Sequence, residues 1–281
     1  MIREFRLEDK DHLQDLINSI DTGYEVDNVE EIHNNAKTIY VYAANQLRGF
    51  AYATFYDNEA NEKVAELKLY VEPESRRHGI GTALHNELMG YIKSEKLDVL
   101  NAYVRVDIQD PAPFCEKLGF HKWWGSPELI YIGNSLPEVD LDFVQYEDQY
   151  YEQYGKIKQE CYHEIQKSND IKPYLVPLTE EDRTQNAKNK ENIFLALDND
   201  NIIASVTVGK ETIDNLMVAP SYQGKGYGKK ALQYGMNKIL SRGNDVIRIC
   251  YMEGNESAEN LYYSLGFKPL QNTHVYRRFV R

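Results

Sequence analysis

The run SYQGKGYGKKAL (221–232) sets Gly224, Gly226 and Gly228 beside Lys225 and Lys229. Glycine tolerates left-handed backbone angles and lacks the Cβ that would hold a ligand away, so such a turn bares its main-chain N–H groups. Where the turn opens a helix, those N–H groups have no intrahelical acceptor and lie at the positive end of the helix dipole. The chemistry this suits is the grip of a phosphate or diphosphate, with the lysines adding charge. A second version, SRRHGIGTAL (75–84), places Gly79 and Gly81 next to Arg76, Arg77 and His78. Two basic, glycine-rich copies exceed what a bare strand-to-helix turn requires.

The elements that must carry these loops come in two sets. A shift of 147 positions lays Leu69 on Leu216, Val71 on Val218, Pro73 on Pro220, Gly79 on Gly226 and Gly81 on Gly228. The same shift lays Leu118, Gly119 and Phe120 on Leu265, Gly266 and Phe267, so one offset holds across some fifty residues. Alternating or apolar runs predict strands near 2–7, 38–43, 47–56, 63–71, 99–106 and 121–132. Helical patterns lie near 8–20, 27–36, 80–95 and 111–118. The second half repeats the order with a Tyr-rich helix at about 147–168 and helices near 228–241 and 256–265. The turn-rich stretch GNSLPEVD (133–140) predicts a boundary, giving domains of 1–136 and 141–281.

Composition narrows the partners. With 42% hydrophobic and 27% charged residues the chain reads as globular, and no run approaches the 18 apolar residues of a membrane helix. MIREFRLEDK lacks the apolar core of a signal peptide, and three scattered cysteines suit a reducing compartment, so a cytoplasmic protein is expected. Neither cysteines nor histidines show metal-site spacing, and no metal is expected. The net charge of −12 is lopsided: residues 1–140 hold 14 Lys/Arg against 25 Asp/Glu (−11), the remainder 18 against 19 (−1). That acidity disfavours nucleic acid or anionic membrane as partner and favours a cationic small molecule or basic peptide.

Spacing separates the candidate loop families. A P-loop needs four residues between its glycines and then Lys-Ser/Thr; Gly224 to Gly228 encloses three, followed by Lys229-Lys230. A dinucleotide fingerprint leaves seven residues between strand end and first glycine, and the first copy has Leu84 at the third position. Both copies fit V-x-P-x-x-[R/Q]-x-x-G-x-G, from Val71 and from Val218, which closely resembles the acetyl-CoA motif of the GNAT superfamily of N-acetyltransferases. NESAENLYYSLGF (255–267) resembles the downstream motif of that family. The resemblance covers essentially the whole chain. It implies an α/β fold of two tandem GNAT domains, each a mixed sheet splayed between its fourth and fifth strands and flanked by helices, with acetyl-CoA in the gap.

The resemblance also implies roles. Main-chain amides of Gln223, Gly224, Lys225, Gly226, Tyr227 and Gly228, with Lys229, would hold the coenzyme diphosphate. Backbone groups of Leu216, Met217 and Val218 would pair with the pantetheine arm and polarise the thioester carbonyl. Asn255 would hydrogen-bond the same arm, and Tyr262 would protonate the departing thiolate. In the first copy Val71, Arg76, Arg77, His78, Gly79, Ile80, Gly81 and Thr82 correspond. Asp214, which alternation sets on the same strand face as Leu216 and Val218, is the candidate base; Glu66 is the comparable residue of the first unit, with opposing parity unless a bulge intervenes. Asn255 maps to Ile108 and Tyr262 to Cys115, so the second unit is expected to be catalytic and the first degenerate. The acceptor is a small-molecule or peptide amine. An acyl-CoA-binding protein without turnover is the competing expectation, and oligomeric state has no sequence signal.

Overall fold

A computed structural model describes residues 1–20, 28–108 and 111–280; position 27 of the helix expected over 27–36 lies outside them. The chain forms two compact units, Met1–Trp123 with Thr273–Arg281, and Trp124–Asn272. This division does not follow the repeat boundary. Each unit has a mixed sheet with helices on it.

In the first unit β1 (Ile2–Glu4), β2 (Thr38–Ala43), β3 (Leu47–Asp57) and β4 (Lys63–Val71) run antiparallel in that order, and β4 lies parallel to β5 (Val99–Arg105). Helices α1 (Lys10–Asn18) and α2 (Val29–Asn35) pack Leu13, Leu16 and Ile32 against Phe50 and Tyr52. Helix α3 (Ile80–Ile92), which follows the first loop, packs Leu84, Leu88 and Ile92 with Ala65, Leu67 and Leu100, and α4 (Ala112–Lys117) adds Cys115 to that cluster. The first unit takes its last strand from the far end of the sequence. Residues 273–279 of β12 (Lys268–Phe279) pair antiparallel with β5, Thr273 opposite Arg105 and Phe279 opposite Val99.

The second unit repeats the plan. Residues 128–132 of β6 (His121–Ile132) pair antiparallel with β11 (Val246–Cys250), which lies parallel to β10 (Thr212–Val218). Antiparallel β9 (Asn201–Val208), β8 (Ile193–Asp198) and β7 (Phe143–Gln145) complete the sheet. On one face lies α5 (Tyr151–Ser168), whose Tyr151, Tyr154 and Ile157 recur at helical spacing and are buried with Met217 and Ala219. The other face carries α7 (Tyr227–Ser241), with Leu232, Met236 and Ile239 buried against Val206, Val208 and Ile213. A Cβ on Gly235 would come within 2.9 Å of Val206, so α7 sits as close to the sheet as a bare Cα permits. Helix α8 (Glu256–Ser264) contributes Tyr262 to the same core. Helix α6 (Glu180–Lys188) was not expected; it buries no residue and so has no apolar stripe to read. Among the described residues no helix is long and apolar enough to cross a membrane.

Candidate active site

The loop of the second unit is held open by its glycines. Gly224 and Gly226 have φ of +75° and +85°, and an added Cβ at either would meet nothing within 4 Å. Gly226 is the N-cap of α7. The amide of Gln223 bonds Pro220 O at 3.3 Å and that of Lys230 bonds Gly226 O at 3.2 Å. Between them, the amides of residues 224–229 find no acceptor among the described residues. This is a cradle of unpaired donors at a positive helix end, and its chemistry fits the anionic part of coenzyme A.

The basic and polar side chains around the cradle divide. Gln223 Nε2 donates to Val218 O at 3.1 Å, so this side chain ties the loop to the strand end. Lys225 folds back, donating to Ser221 O at 3.0 Å with its ammonium 5.1 Å from the Tyr222 ring centroid. Lys229 makes no such bond and remains exposed beside the amides. Tyr227 packs edge-on to Tyr222.

Strand β10 is irregular where a ligand arm would pass. Its register on β9 shifts between Asp214, opposite Thr207, and Met217, opposite Ser205. Two residues, Asn215 and Leu216, thus face one, Val206; this is a β-bulge, with Asn215 at φ +45°. Buried Ser205 donates its hydroxyl to Asn215 O at 3.2 Å, supporting the bulge. Pairing with β11 stops just before it, at Ile213 opposite Ile249, and the strands part from there. The Ala219 N–H donates to Ile203 O of β9 at 3.0 Å, so Ala219 and, two residues back, Met217 turn their main-chain groups to β9. Alternation turns those of Leu216 and Val218 to the gap. Val218 O already accepts from Gln223 and from the Cys161 thiol at 3.3 Å. The main chain of Leu216 and the Val218 N–H remain for an added strand.

The bulge also corrects the parity expected for Asp214. Thr207 and Ser205 share a face of β9, so Asp214 lies on the face of Met217, toward α5, and not on that of Leu216 and Val218. One extra residue reverses the alternation. Asp214 is exposed at the opening, with Thr212 Oγ1 donating to its Oδ2 at 3.1 Å. Across the opening stands Cys250, the residue after Ile249.

Asn255 caps α8, its Oδ1 accepting from the Ala258 amide at 3.1 Å, which leaves Nδ2 without a partner among the described residues. Tyr262 is only 6% exposed and packs on Tyr251 and Phe267. Burial pushes its phenol well above the usual tyrosine value, and Tyr162, Cys250 and Asp214 raise it further. It therefore keeps its proton at neutral pH, as a donor to a leaving thiolate requires. The sequence reading passed over Tyr162 and Cys250. Tyr162 was one tyrosine among several at helical spacing, and Cys250 is marked out only by strand pairing.

The first unit keeps the loop and lacks the rest. Gly79 caps α3 at φ +82°, and the amides of residues 77–82 likewise find no acceptor among the described residues. Val71 O accepts from Arg76 Nε at 2.8 Å, the counterpart of the Gln223 contact, and His78 Nδ1 lies 3.4 Å from Ser75 O. Where the second unit has Gly224, exposed Arg77 occupies the left-handed region at φ +64°. Ile80, Gly81 and Thr82 open α3, and a Cβ on Gly81 would come within 3.2 Å of Phe114. Strand β4 pairs with β3 without a break from Lys63 to Val71, so there is no bulge. Its last pair with β5 is Leu67 with Ala102, matching Ile213 with Ile249. The position of Asp214 therefore belongs to Lys68 and not to Glu66, which lies 3.5 Å from the Lys68 ammonium. Cys115, in place of Tyr262, is buried in the core.

Known proteins share this fold. A model described as the acetyltransferase (GNAT) family matches residues 4–120 and again 151–267, two segments 147 positions apart. The [ribosomal protein bS18]-alanine N-acetyltransferase of Haemophilus ducreyi is 31% identical over 101 residues, 34% of this chain and 70% of that one. A GCN5-related N-acetyltransferase from Sphaerobacter thermophilus superimposes on 100% of this chain and 96% of its own, with a TM-score of 0.72 at 14% identity. A tandem GNAT protein from the clavulanic acid biosynthesis pathway covers 99% and 98%, with a TM-score of 0.64 at 14% identity. At that identity the likeness speaks for the fold. The chain belongs to the acetyltransferase (GNAT) family, as an acetyl-CoA-dependent N-acetyltransferase with two copies of the family's unit.

Proposed function

We propose that the second unit transfers acetyl from acetyl-CoA to a primary amine, and that the first unit does not turn over. One observation carries the reading: the unpaired amides of residues 224–229, the bulge at Asn215 and the proton-bearing Tyr262 occur together in the second unit only. Acetyl-CoA supplies an acetyl group activated as a thioester. The chain's residues do the remainder. The loop amides and Lys229 hold the diphosphate, and Leu216 with the Val218 N–H aligns the arm as a neighbouring strand would. The free Nδ2 of Asn255 donates to an amide carbonyl of that arm. Exposed Asp214 takes a proton from the amine, and Tyr262 gives one to sulfur.

In the first unit a cation, Lys68, stands where Asp214 accepts that proton, and a buried thiol replaces the acid. Its loop retains the capacity to hold an anion, and we assign it a scaffolding or weak coenzyme-binding role in a cytoplasmic enzyme. For the acceptor, the acidity of the front half favours a cationic amine. The name of the Haemophilus relative adds the α-amine of a peptide to the candidates. The test is coenzyme A release from acetyl-CoA across a panel of polyamines, amino sugars and short peptides. Tyr262→Phe should abolish most of the turnover and Cys115→Ala should leave it intact; the opposite pattern overturns the assignment.

A further inference from the structure

Helix α5 is fastened at the mouth of the gap, where the Cys161 thiol donates to Val218 O at 3.3 Å. The next residue, Tyr162, packs on the cluster that holds Tyr154, Met217 and Ala219. Asp214 occupies the same strand face as Met217, so Tyr162 and Asp214 border one side of the opening between β10 and β11. Tyr162 is half-buried, and its hydroxyl has no hydrogen-bond partner among the described residues. A half-buried phenol with an idle hydroxyl beside an exposed carboxylate is poorly explained by packing alone.

We propose that Tyr162 is a further residue of the acceptor subsite, its hydroxyl oxygen accepting a hydrogen bond from the entering primary amine and holding that nitrogen beside Asp214. The inference rests on the second unit being the acetyl-transfer centre. As the N–C bond forms and the C–S bond breaks, Asp214 takes one proton from nitrogen and Tyr262 gives one to sulfur. Tyr162 keeps its own proton throughout, because burial, with Tyr154, Cys161 and Asp214 nearby, pushes its phenol far above neutrality. It orients the lone pair and exchanges nothing.

Calorimetry on the full chain tests this with two probes, coenzyme A and the N-butyl amide of S-carboxymethyl-coenzyme A, whose amide N–H stands where the amine nitrogen would. The wild-type chain should bind the amide more tightly than coenzyme A. Tyr162→Phe should leave the coenzyme A affinity within about twofold and remove about five- to tenfold of the amide's advantage, the loss of one hydrogen bond. A tyrosine that only packs would leave that ratio unmoved, since phenylalanine keeps the ring. An advantage retained by Tyr162→Phe, or absent in the wild type while coenzyme A binds, overturns the inference. If the wild-type chain takes up neither probe, the acetyl-transfer reading falls and this inference falls with it.

Discussion

Gly226→Ala separates the two things the loop must do, which are to turn and to bind. The residue sits at φ +85°, and a non-glycine residue in that region costs roughly 1–2 kcal/mol. The new methyl meets nothing within 4 Å, so no packing change offsets or enlarges this figure. For a unit the size of Trp124–Asn272, each kcal/mol moves the melting midpoint by about 2–4 °C, so its transition should fall by roughly 2–8 °C. Binding should suffer far more, because the methyl projects from the row of amides into the space a diphosphate would fill. Coenzyme A at 100 times its Kd should raise the wild-type unit by about 2.7 kcal/mol, or roughly 5–11 °C, and the variant by almost nothing. Gly90→Ala is the control: it lies within α3 at an unstrained φ with open space around it and should gain about 0.5–1 kcal/mol. The assay is differential scanning fluorimetry with and without coenzyme A. A full coenzyme-induced rise in Gly226→Ala would refute the idea that these amides hold the diphosphate.

Tyr262→Phe should lower kcat by at least about a hundredfold, the usual worth of a placed acid, with the coenzyme A thermal shift preserved; steady-state kinetics beside fluorimetry checks both. Ser205→Ala removes the hydroxyl that supports Asn215 O and should cost about 1 kcal/mol in urea unfolding while lowering kcat/KM for acetyl-CoA. Burial pushes Tyr154 up to about 12, and Tyr162 and Tyr262 are raised as well. Since the folded values exceed the unfolded value near 10, their stabilisation is complete below pH 10 and declines as pH rises toward the folded values, at about 1.4 kcal/mol per pH unit for each such group. Urea midpoints at pH 9 and pH 11 should show the drop. Asp9 is nearly buried, and its carboxylate accepts from Arg3 at 2.6 and 2.7 Å and from the Arg6 amide at 2.9 Å, the Arg3 contact holding its pKa below the usual range. Asp9→Asn should destabilise the first unit by about 2 kcal/mol at pH 7, and the difference from wild type should shrink as pH falls below 4.

What the sequence discloses here is what neighbours along the chain decide. The loop, its glycines and the helix after it are local matters of φ and dipole, and Tyr262 with its Gly-Phe helix end travels as one short motif. The bulge is another matter. It depends on the single residue Val206 of another strand facing both Asn215 and Leu216, so counting along β10 alone misassigned the face of Asp214 and pointed to Glu66 where register selects Lys68. A buried serine within the apolar run NIIASVTV was the available signal. Tyr162 needed a contact between α5 and β10 to distinguish it from tyrosines that only pack. The sharing out of β12 was beyond reach, because the repeat offset says which residues are alike and not which strand each will join.

The place of residues 273–279 in the first unit has a consequence for biosynthesis. When residue 123 leaves the ribosome the first unit still lacks the strand that covers β5, and another 149 residues (124–272) must be made before it appears. At about 5–20 residues per second this takes on the order of seven to thirty seconds, during which a strand edge is left unpaired. The first unit, begun before the second, is thus completed only after the second unit's residues have been made. Deleting residues 273–279 should harm the first unit before the second, and a nascent chain stalled before residue 273 should lean on chaperones.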